Sequence, residues 1–296
     1  MYTLKRTIII CASSLAIIGC LAIARNTSAI VPTGSAAQTS TATAVVPTGS
    51  PTLSTCAVQA GKLNDVELPL KKDKPPLAVK VYTPPCFEQK TGQKYPLLIL
   101  LHGQSSTNDS WVNLGVPAIL DDLYRSDPST AVVVAFPQEQ NSHGDQDESP
   151  YESQLVDTLI PWLRSNYPLE TEPRFYAVAG ISRGGGWSFR LGVDHPEIFG
   201  SVAAHSPAID GRDYYKLTEF RRSHKTAELP RFYLDIGFDD SLKDSARKVE
   251  LRLGELRIPH EWHMNSGTHN QEYWLAHIRE YLIWYVDAWK VNPTAQ

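Results

Sequence analysis

Short apolar runs recur along the chain between residues 77 and 236, separated by longer polar or amphipathic stretches. The run at residues 95–101 is apolar at consecutive positions, which is typical of a strand covered on both faces of a sheet. Residues 77–82 instead alternate in the manner of a strand. Together these patterns predict six strands, at residues 77–82, 95–101, 131–136, 174–179, 201–204 and 231–236.

Helical periodicity fills several of the segments between these strands. Two apolar stripes with helical spacing predict one helix each; they comprise Leu155, Val156, Leu159, Ile160 and Leu163, and Leu242, Ala246, Val249, Leu253 and Leu256. Pro161 should kink the first helix or end it early, because proline lacks the backbone N–H and its ring clashes with the preceding turn. The aromatic-rich stretch at residues 271–289 predicts a last helix.

Strands that alternate with helices indicate an α/β protein with a mostly parallel sheet and helices on both faces. Ligands on such sheets bind at the carboxyl ends of the strands. We therefore look for chemistry in the residues that directly follow each strand.

The first 24 residues are typical of a targeting segment. Lys5 and Arg6 precede an uncharged apolar run at residues 7–24 that ends in Ala22-Ile-Ala24. This pattern favours a secretory signal peptide cleaved after Ala24. The run is also just long enough for an uncleaved N-terminal membrane anchor, and Cys20 allows a lipoprotein. Each alternative places the rest of the chain outside the cytoplasm, either secreted or anchored at the cell surface.

Residues 25–55 are rich in Ala, Thr, Ser, Pro and Gly and have almost no charge. Such a segment cannot bury enough apolar surface to offset the entropy of ordering it, so we predict a flexible low-complexity linker. The folded domain is then expected over residues 56–296. Within it, Cys56 and Cys86 are the two cysteines, and in an oxidising compartment they would form one disulfide. A pair of buried thiols is the alternative.

Composition narrows the possible partners. The 296 residues are 42% apolar and 20% charged, as in globular proteins, and the net charge is −4 with both signs mixed along the chain. This balance favours neither nucleic acid nor an anionic membrane surface as a partner, so any membrane contact would come through the N-terminal segment. No Cys-x-x-Cys or histidine-rich spacing indicates a metal site, and none is predicted.

The sequence Gly180-Ile-Ser182-Arg-Gly184 follows one of the predicted strands. This G-x-S-x-G pattern is typical of a nucleophile elbow, in which a sharp turn between strand and helix exposes a serine hydroxyl. The turn strains the serine backbone and leaves room only for hydrogen beside it, which explains the two glycines. Ser182 is therefore the candidate nucleophile.

A serine hydroxyl needs a histidine to accept its proton and a carboxylate to orient that histidine, and on this fold they follow the serine in the order acid, then histidine. The acid is expected at Asp240 in Gly237-Phe-Asp-Asp240, with Asp239 and Asp235 as alternatives. His269 follows Gly267 in a turn before the last predicted helix and is the candidate base. Four other histidines suit structural positions better: His195, His260, His263 and His277.

Ester cleavage also requires two N–H donors for the negative oxygen of the tetrahedral intermediate. The backbone N–H of Arg183 is one candidate, because it begins the helix after the nucleophile. The backbone N–H of Gln104 is the second, in the loop His102-Gly103-Gln104 at the end of an apolar strand.

The ordered motifs resemble those of one known family. They are Tyr95–Gly103, Gly180–Gly185, His195–Val202, Gly237–Asp240 and Gly267–His269 with Trp274. This set, over about residues 77–290, is similar to the esterase D family of α/β-hydrolases, which includes feruloyl, acetyl-xylan and enterochelin esterases and mycolyltransferases.

The resemblance implies an α/β-hydrolase fold, Ser182 as nucleophile, Asp240 as acid, His269 as base and no cofactor. One position departs from the family. Arg183 stands where many members carry Met, and its charged side chain is expected near the pocket, which leaves the substrate open.

These observations predict a secreted or surface-tethered serine esterase that acts through an acyl-enzyme on a small-molecule or polysaccharide ester, for example a feruloyl or acetyl ester. The alternatives are an acyltransferase of the mycolyltransferase type and a non-catalytic envelope protein on the same fold.

Two further sets of residues have open roles. The polar stretch at residues 138–149 is interpreted as a solvated loop, with a pocket cap or a cation site as alternatives. Tyr214, Tyr215 and Trp274 suit either a sugar or aryl site or the core.

Overall fold

The computed structural model of the protein describes residues 59–70, 75–90 and 92–290. The predicted targeting segment at residues 1–24 and the linker at residues 25–55 lie outside the described residues. Cys56 also lies outside them, so its pairing with Cys86 and the domain boundary at residue 56 stay predictions. Within the described ranges, no helix has both the length and the hydropathy that crossing a bilayer requires.

An eight-stranded sheet forms the centre of the fold, in the order β1-β2-β4-β3-β5-β6-β7-β8. The strands are β1 (Lys62–Leu68), β2 (Leu77–Thr83), β3 (Leu97–Leu101), β4 (Val133–Pro137), β5 (Tyr176–Ile181), β6 (Ser201–His205), β7 (Arg231–Gly237) and β8 (His260–Asn265). The pairs β1–β2 and β2–β4 are antiparallel and all the other pairs are parallel. The predicted mostly parallel α/β sheet is confirmed.

Burial follows the position of each strand in the sheet. Every residue of β3, β4, β5 and β6 is buried, and since successive side chains point to opposite faces, both faces of the central sheet are covered. Continuous apolar runs are what such strands require. All six predicted strands are present, with ends that differ by a few residues.

The sequence pattern did not identify β1. Its first four residues are exposed. Its sequence lacks apolar alternation because it is an edge strand with one neighbour. Backbone pairing holds it in place, with Leu63 opposite Tyr82 and Leu68 opposite Leu77.

The helices are α1 (Ser110–Asn113), α2 (Val116–Ser126), α3 (Tyr151–Ser153), α4 (Ile160–Asn166), α5 (Arg183–Asp194), α6 (Gly211–Ser223), α7 (Lys243–Glu255) and α8 (Gln271–Asp287). The predicted apolar stripe on α7 is buried at Ala246, Val249 and Leu253, and the predicted last helix is α8.

The distortion expected at Pro161 takes a particular form. The chain is helical from Tyr151 to Asn166, but Gln154–Leu159 forms a π-helical turn directly before α4, which has Pro161 at its start. A π turn is wider than an α turn and relieves the clash between the proline ring and the preceding carbonyl. The helix therefore continues past Pro161, and its predicted inner face is buried at Leu155, Leu159 and Leu163.

Candidate active site

The turn between β5 and α5 has the geometry of a nucleophile elbow. Ser182 has φ 58° and ψ −118°, a strained conformation for a residue with a side chain. A Cβ atom at Gly180 would lie 2.0 Å from the carbonyl oxygen of Gly184, and one at Gly184 would lie 2.3 Å from the carbonyl oxygen of Leu101. Only glycine fits at either position, which confirms the physical reason given for the motif.

Ser182, His269 and Asp240 form a hydrogen-bonded chain. The His269 ring nitrogens lie 2.9 Å from Ser182 Oγ through Nε2 and 2.9 Å from Asp240 Oδ2 through Nδ1. A carboxylate can only accept, so Nδ1 donates to Asp240 and Nε2 is left to accept the serine proton. The structure thus brings together three residues that lie up to 87 positions apart in the chain.

The environment of Asp240 keeps its carboxyl ionised. Burial alone would raise the pKa of Asp240, but hydrogen bonds from the His269 ring, the Leu242 N–H and the Ser206 hydroxyl outweigh burial and hold the pKa below its ordinary value. An ionised carboxylate beside His269 orients the ring and stabilises its cationic form.

The alternative acids lie elsewhere. Asp235 is fully buried within β7, where its side chain contacts the His205 ring at 2.5 Å and accepts hydrogen bonds from Tyr273 and Tyr281. Asp239 is exposed. Of the three acids considered, Asp240 is therefore the one hydrogen-bonded to His269.

The four histidines that were assigned structural positions from the sequence make structural contacts, as expected. His195 follows the last residue of α5 and lies 2.8 Å from Glu152. His260 contacts the Ile258 carbonyl, His263 stacks on Tyr233, and His277 lies near Glu280.

Both predicted oxyanion donors lie beside Ser182. Arg183 is the first residue of α5, and the first N–H groups of a helix have no partner within it. Gln104 follows β3, the neighbour of β5 in the sheet, and a Cβ atom at Gly103 would lie 3.5 Å from Ser182 Cβ. Their role as donors stays a prediction.

The Arg183 side chain does not face the pocket, contrary to our expectation. It is 91% buried and makes a two-point contact with the Glu139 carboxylate, through Nε at 2.8 Å and Nη2 at 2.7 Å. The Trp187 ring donates to the same carboxylate at 3.0 Å. A two-point arginine–carboxylate contact fixes the orientation of both groups.

Residues 138–149 are correspondingly not a simple solvated loop. Glu139 and Ser142 within this stretch are buried, whereas Gln140, Asn141 and His143 are exposed. Sequence reasoning missed the role of Glu139, although its position two residues after β4 was a usable signal, because side chains at the carboxyl ends of parallel strands gather at one edge. In the described residues, no group of three or more His, Cys, Asp or Glu side chains is arranged to hold a metal.

His102 is buried and neutral in this arrangement. Its Nε2 accepts from the Glu139 N–H at 2.9 Å, so its Nδ1 carries the proton and donates to the Gly103 carbonyl at 2.8 Å. Burial is the largest influence on the pKa of His102 and, with the nearby Arg183 charge, holds it below its ordinary value, although the Gly103 contact and Glu139 raise it. The ring therefore connects the loop after β3 to the loop after β4.

A cavity of about 600 Å³ opens beside Ser182 and His269. It is lined by Gly103, Gln104, Ser105, Ser106, Thr107, Ser110, Asn113, Leu114, Ile181, Ser182, His269, Gln271 and Trp274. Eight of these thirteen residues carry a hydroxyl or an amide side chain. The Trp274 ring stands edge-on to His269, with centroids 5.3 Å apart, which places one of the three candidate ligand aromatics in the pocket. Tyr214 and Tyr215 line a separate groove with residues of α7.

The sheet order, the elbow after β5 and the serine–histidine–aspartate contacts define an α/β-hydrolase. The family comparison agrees with the resemblance noted from the motifs. The chain belongs to the esterase family described as "Putative esterase", whose model matches residues 74–285.

Individual relatives show what the chain is similar to. An endo-1,4-beta-xylanase/feruloyl esterase of Xylanibacter ruminicola is 29% identical over 115 residues, which are 36% of this chain and 16% of that protein. A solved ferulic acid esterase has 25% identity and a TM-score of 0.68, over 77% of this chain and 99% of its own. An S-formylglutathione hydrolase of Staphylococcus aureus shares the fold, with 16% identity, a TM-score of 0.66, and coverage of 77% and 100%.

Proposed function

We propose that this protein is an exported serine esterase that hydrolyses carboxylic esters attached to a polysaccharide or to its fragments. The observation that carries the proposal is the hydrogen-bonded chain from Ser182 through His269 to Asp240 at the edge of an open cavity. Membership of the esterase family supports the same reaction class.

In the first half of the reaction, Ser182 Oγ attacks the ester carbonyl carbon while His269 Nε2 accepts its proton. The carbonyl oxygen becomes negative and accepts hydrogen bonds from the backbone N–H groups of Arg183 and Gln104. His269 then gives its proton to the departing alcohol oxygen. The carbon–oxygen bond breaks, and the acyl group stays on Ser182 as an ester.

In the second half, water replaces the alcohol. His269 takes a proton from the water as the oxygen attacks the acyl carbon, and the same N–H groups stabilise the second tetrahedral intermediate. His269 then returns the proton to Ser182 Oγ, which releases the carboxylic acid. Asp240 stays ionised throughout and stabilises the cationic ring in both halves.

The cavity lining supports a substrate that is polar or aromatic rather than a long acyl chain. Its hydroxyl and amide groups suit the hydroxyls of a sugar, and Trp274 offers an aromatic face to a sugar or aryl group. Among the lining residues only Leu114 and Ile181 are aliphatic. Together with the feruloyl esterase names of two relatives, this favours feruloyl or acetyl esters over the long acyl groups of a mycolyl-type transfer.

The test of the reaction is hydrolysis of p-nitrophenyl acetate by the wild-type protein and by Ser182→Ala. We expect the substitution to lower kcat by at least about 10⁴-fold, because it removes the nucleophile. Circular dichroism would establish that both proteins are folded. A folded wild-type protein without turnover would mean a non-catalytic protein, and turnover that survives the substitution would mean a different nucleophile.

Substrate and acceptor are tested next. We expect release of ferulate or acetate from substituted xylan fragments, measured by chromatography. Transfer of the acyl group to an added sugar or glycolipid in place of water would identify an acyltransferase instead.

Export is tested separately from the chemistry. Residues 1–24 are the basis for proposing it, and fractionation of cells that express the full chain, with N-terminal sequencing of the product, distinguishes a cleaved secreted form from an anchored one. A product that is found in the cytoplasm with an intact N-terminus would contradict export.

A further inference from the structure

We infer that Glu139 and Arg183 form a buried clamp that sets the spacing of the two oxyanion donors, the backbone N–H groups of Arg183 and Gln104. This inference rests on the proposed esterase reaction and names positioning residues for it. The clamp acts on the position of the backbone N–H groups and not on the substrate directly, since Arg183 does not line the cavity.

One side of the clamp holds the start of α5. The Arg183 guanidinium and the Trp187 ring both extend from α5 to the Glu139 carboxylate, at 2.8 and 2.7 Å for the two guanidinium contacts and 3.0 Å for the ring. Both carboxylate oxygens are therefore engaged by donors from the first turn and a half of one helix. The helix end that carries the Arg183 N–H cannot shift without disturbing these contacts.

The other side holds the loop that carries Gln104. The Glu139 N–H donates to His102 Nε2, and His102 Nδ1 donates to the Gly103 carbonyl. The Ser142 hydroxyl donates to the Gln104 carbonyl, and the Gln104 side chain contacts the His143 ring at 3.2 Å. The segment from Glu139 to His143 is thus hydrogen-bonded to this loop at His102 and Gln104.

The two sides meet in a single residue. Glu139 uses its carboxylate for α5 and its backbone N–H for the loop after β3, so it links the two donors over a short path of hydrogen bonds. Stabilisation of an oxyanion depends on donors that are already in place when charge develops. A buried two-point ion pair suits this purpose, because it has one geometry rather than many.

The test compares Glu139→Gln and Arg183→Lys with the wild type. The first keeps the size of the side chain and removes its charge; the second keeps the charge and removes the planar two-point contact. We expect each to lower kcat for p-nitrophenyl acetate by about 10- to 100-fold with little change in KM, less than the loss from removing a donor outright. Inactivation by a p-nitrophenyl phosphonate, which forms a tetrahedral adduct on Ser182, should slow by a similar factor.

Asp213→Asn provides a matched control. Asp213 makes another buried two-point contact with an arginine of α5, Arg190, at 2.9 and 3.3 Å. This variant should lose thermal stability as the clamp variants do but keep its kcat. Equal losses of kcat in all three variants would mean that Glu139 and Arg183 act on stability alone. A wild-type kcat in Arg183→Lys would mean that a positive charge opposite Glu139 suffices and that the two-point geometry is not needed. Either result overturns the clamp.

Hydrogen exchange tests the clamp without reference to turnover. We expect the amides of residues 102–105 to exchange faster in Glu139→Gln than in the wild type or Asp213→Asn. Unchanged exchange there would overturn the clamp even in an active enzyme. Faster exchange in a protein whose wild type has no esterase activity would instead contradict the proposed function and leave the mechanical link between the two loops intact.

Discussion

Asp240 determines how the His269 ring is held. Its carboxylate is fully buried and accepts hydrogen bonds from the ring, from the Leu242 N–H and from the Ser206 hydroxyl. Since these bonds keep the pKa of Asp240 below its ordinary value, its carboxylate is charged at near-neutral pH.

We predict that Asp240→Asn lowers kcat for p-nitrophenyl acetate by about three to four orders of magnitude at about pH 8. The amide can donate to His269 Nδ1 and so favours the wrong ring tautomer. Steady-state kinetics would measure the loss. Asp239→Asn is the control, because that side chain is exposed and the variant should keep its activity within about twofold. A comparable loss of activity in this variant would show that the acid role was wrongly assigned to Asp240.

Ser206 supports the same carboxylate from a strained backbone. Its φ is 45°, in the left-handed region, and its hydroxyl accepts from the Trp274 ring at 3.2 Å while it donates to Asp240. Sequence reasoning missed this residue, although it directly follows β6, much as Glu139 lies two residues beyond the end of β4.

We expect Ser206→Ala and Ser206→Gly to lose similar activity, about 3- to 10-fold in kcat, since both remove one hydrogen bond from Asp240. They should differ in stability. Glycine relieves the left-handed strain, so Ser206→Gly should be more stable than Ser206→Ala by about 1 kcal/mol. Urea unfolding measures this difference, and equal stabilities would show that φ at this position carries no cost.

At the scale of elements, the ends of helices are joined by contacts that local patterns do not reveal. His195 follows α5 and pairs with Glu152 of α3 at 2.8 Å. The Glu152 hydrogen bond raises the pKa of His195 above its ordinary value of 6.5, and the same bond lowers that of Glu152 below 4.5.

These shifts predict how the pair stabilises the fold with pH. The His195 contribution is complete below pH 6.5 and is lost as pH rises through its raised folded pKa; the Glu152 contribution is complete above pH 4.5 and is lost as pH falls through its lowered folded pKa. We expect Glu152→Gln to cost about 0.5–1 kcal/mol between these values and much less near pH 9, by urea unfolding. Glu197→Gln, at a more exposed partner of His195, should cost little; a pH-independent loss in Glu152→Gln would exclude the charged pair.

Element prediction succeeded for strands with a continuous or alternating apolar pattern and failed for β1, which has neither. The central strands are apolar throughout because the sheet covers both their faces, whereas β1 is an exposed edge strand held by backbone pairing and has no such pattern. Pro161 predicted a distortion, but the sequence did not predict its form, which is a π turn rather than a helix end.

At the scale of the whole molecule, parallel strands gather the chemistry at one edge. Ser182 follows β5, Asp240 follows β7, His269 follows β8, and the loop with Gln104 follows β3. Because neighbouring parallel strands end at the same edge, residues far apart in the chain meet there. Ser182, Asp240 and Gln104 were predicted from turns beyond strands and His269 from the turn before the last helix, and the structure places these turns at one edge of the sheet.

The sequence by itself determined the strands of the central sheet, the glycines of the elbow and the order of Ser182, Asp240 and His269, because periodicity and turn chemistry are local properties. Only the tertiary structure decided what Arg183 contacts. Its partner Glu139 lies 44 positions away. No local pattern encodes an ion pair between the start of one helix and the end of another strand, since such a contact exists only after the sheet has brought β4 and β5 to the same edge.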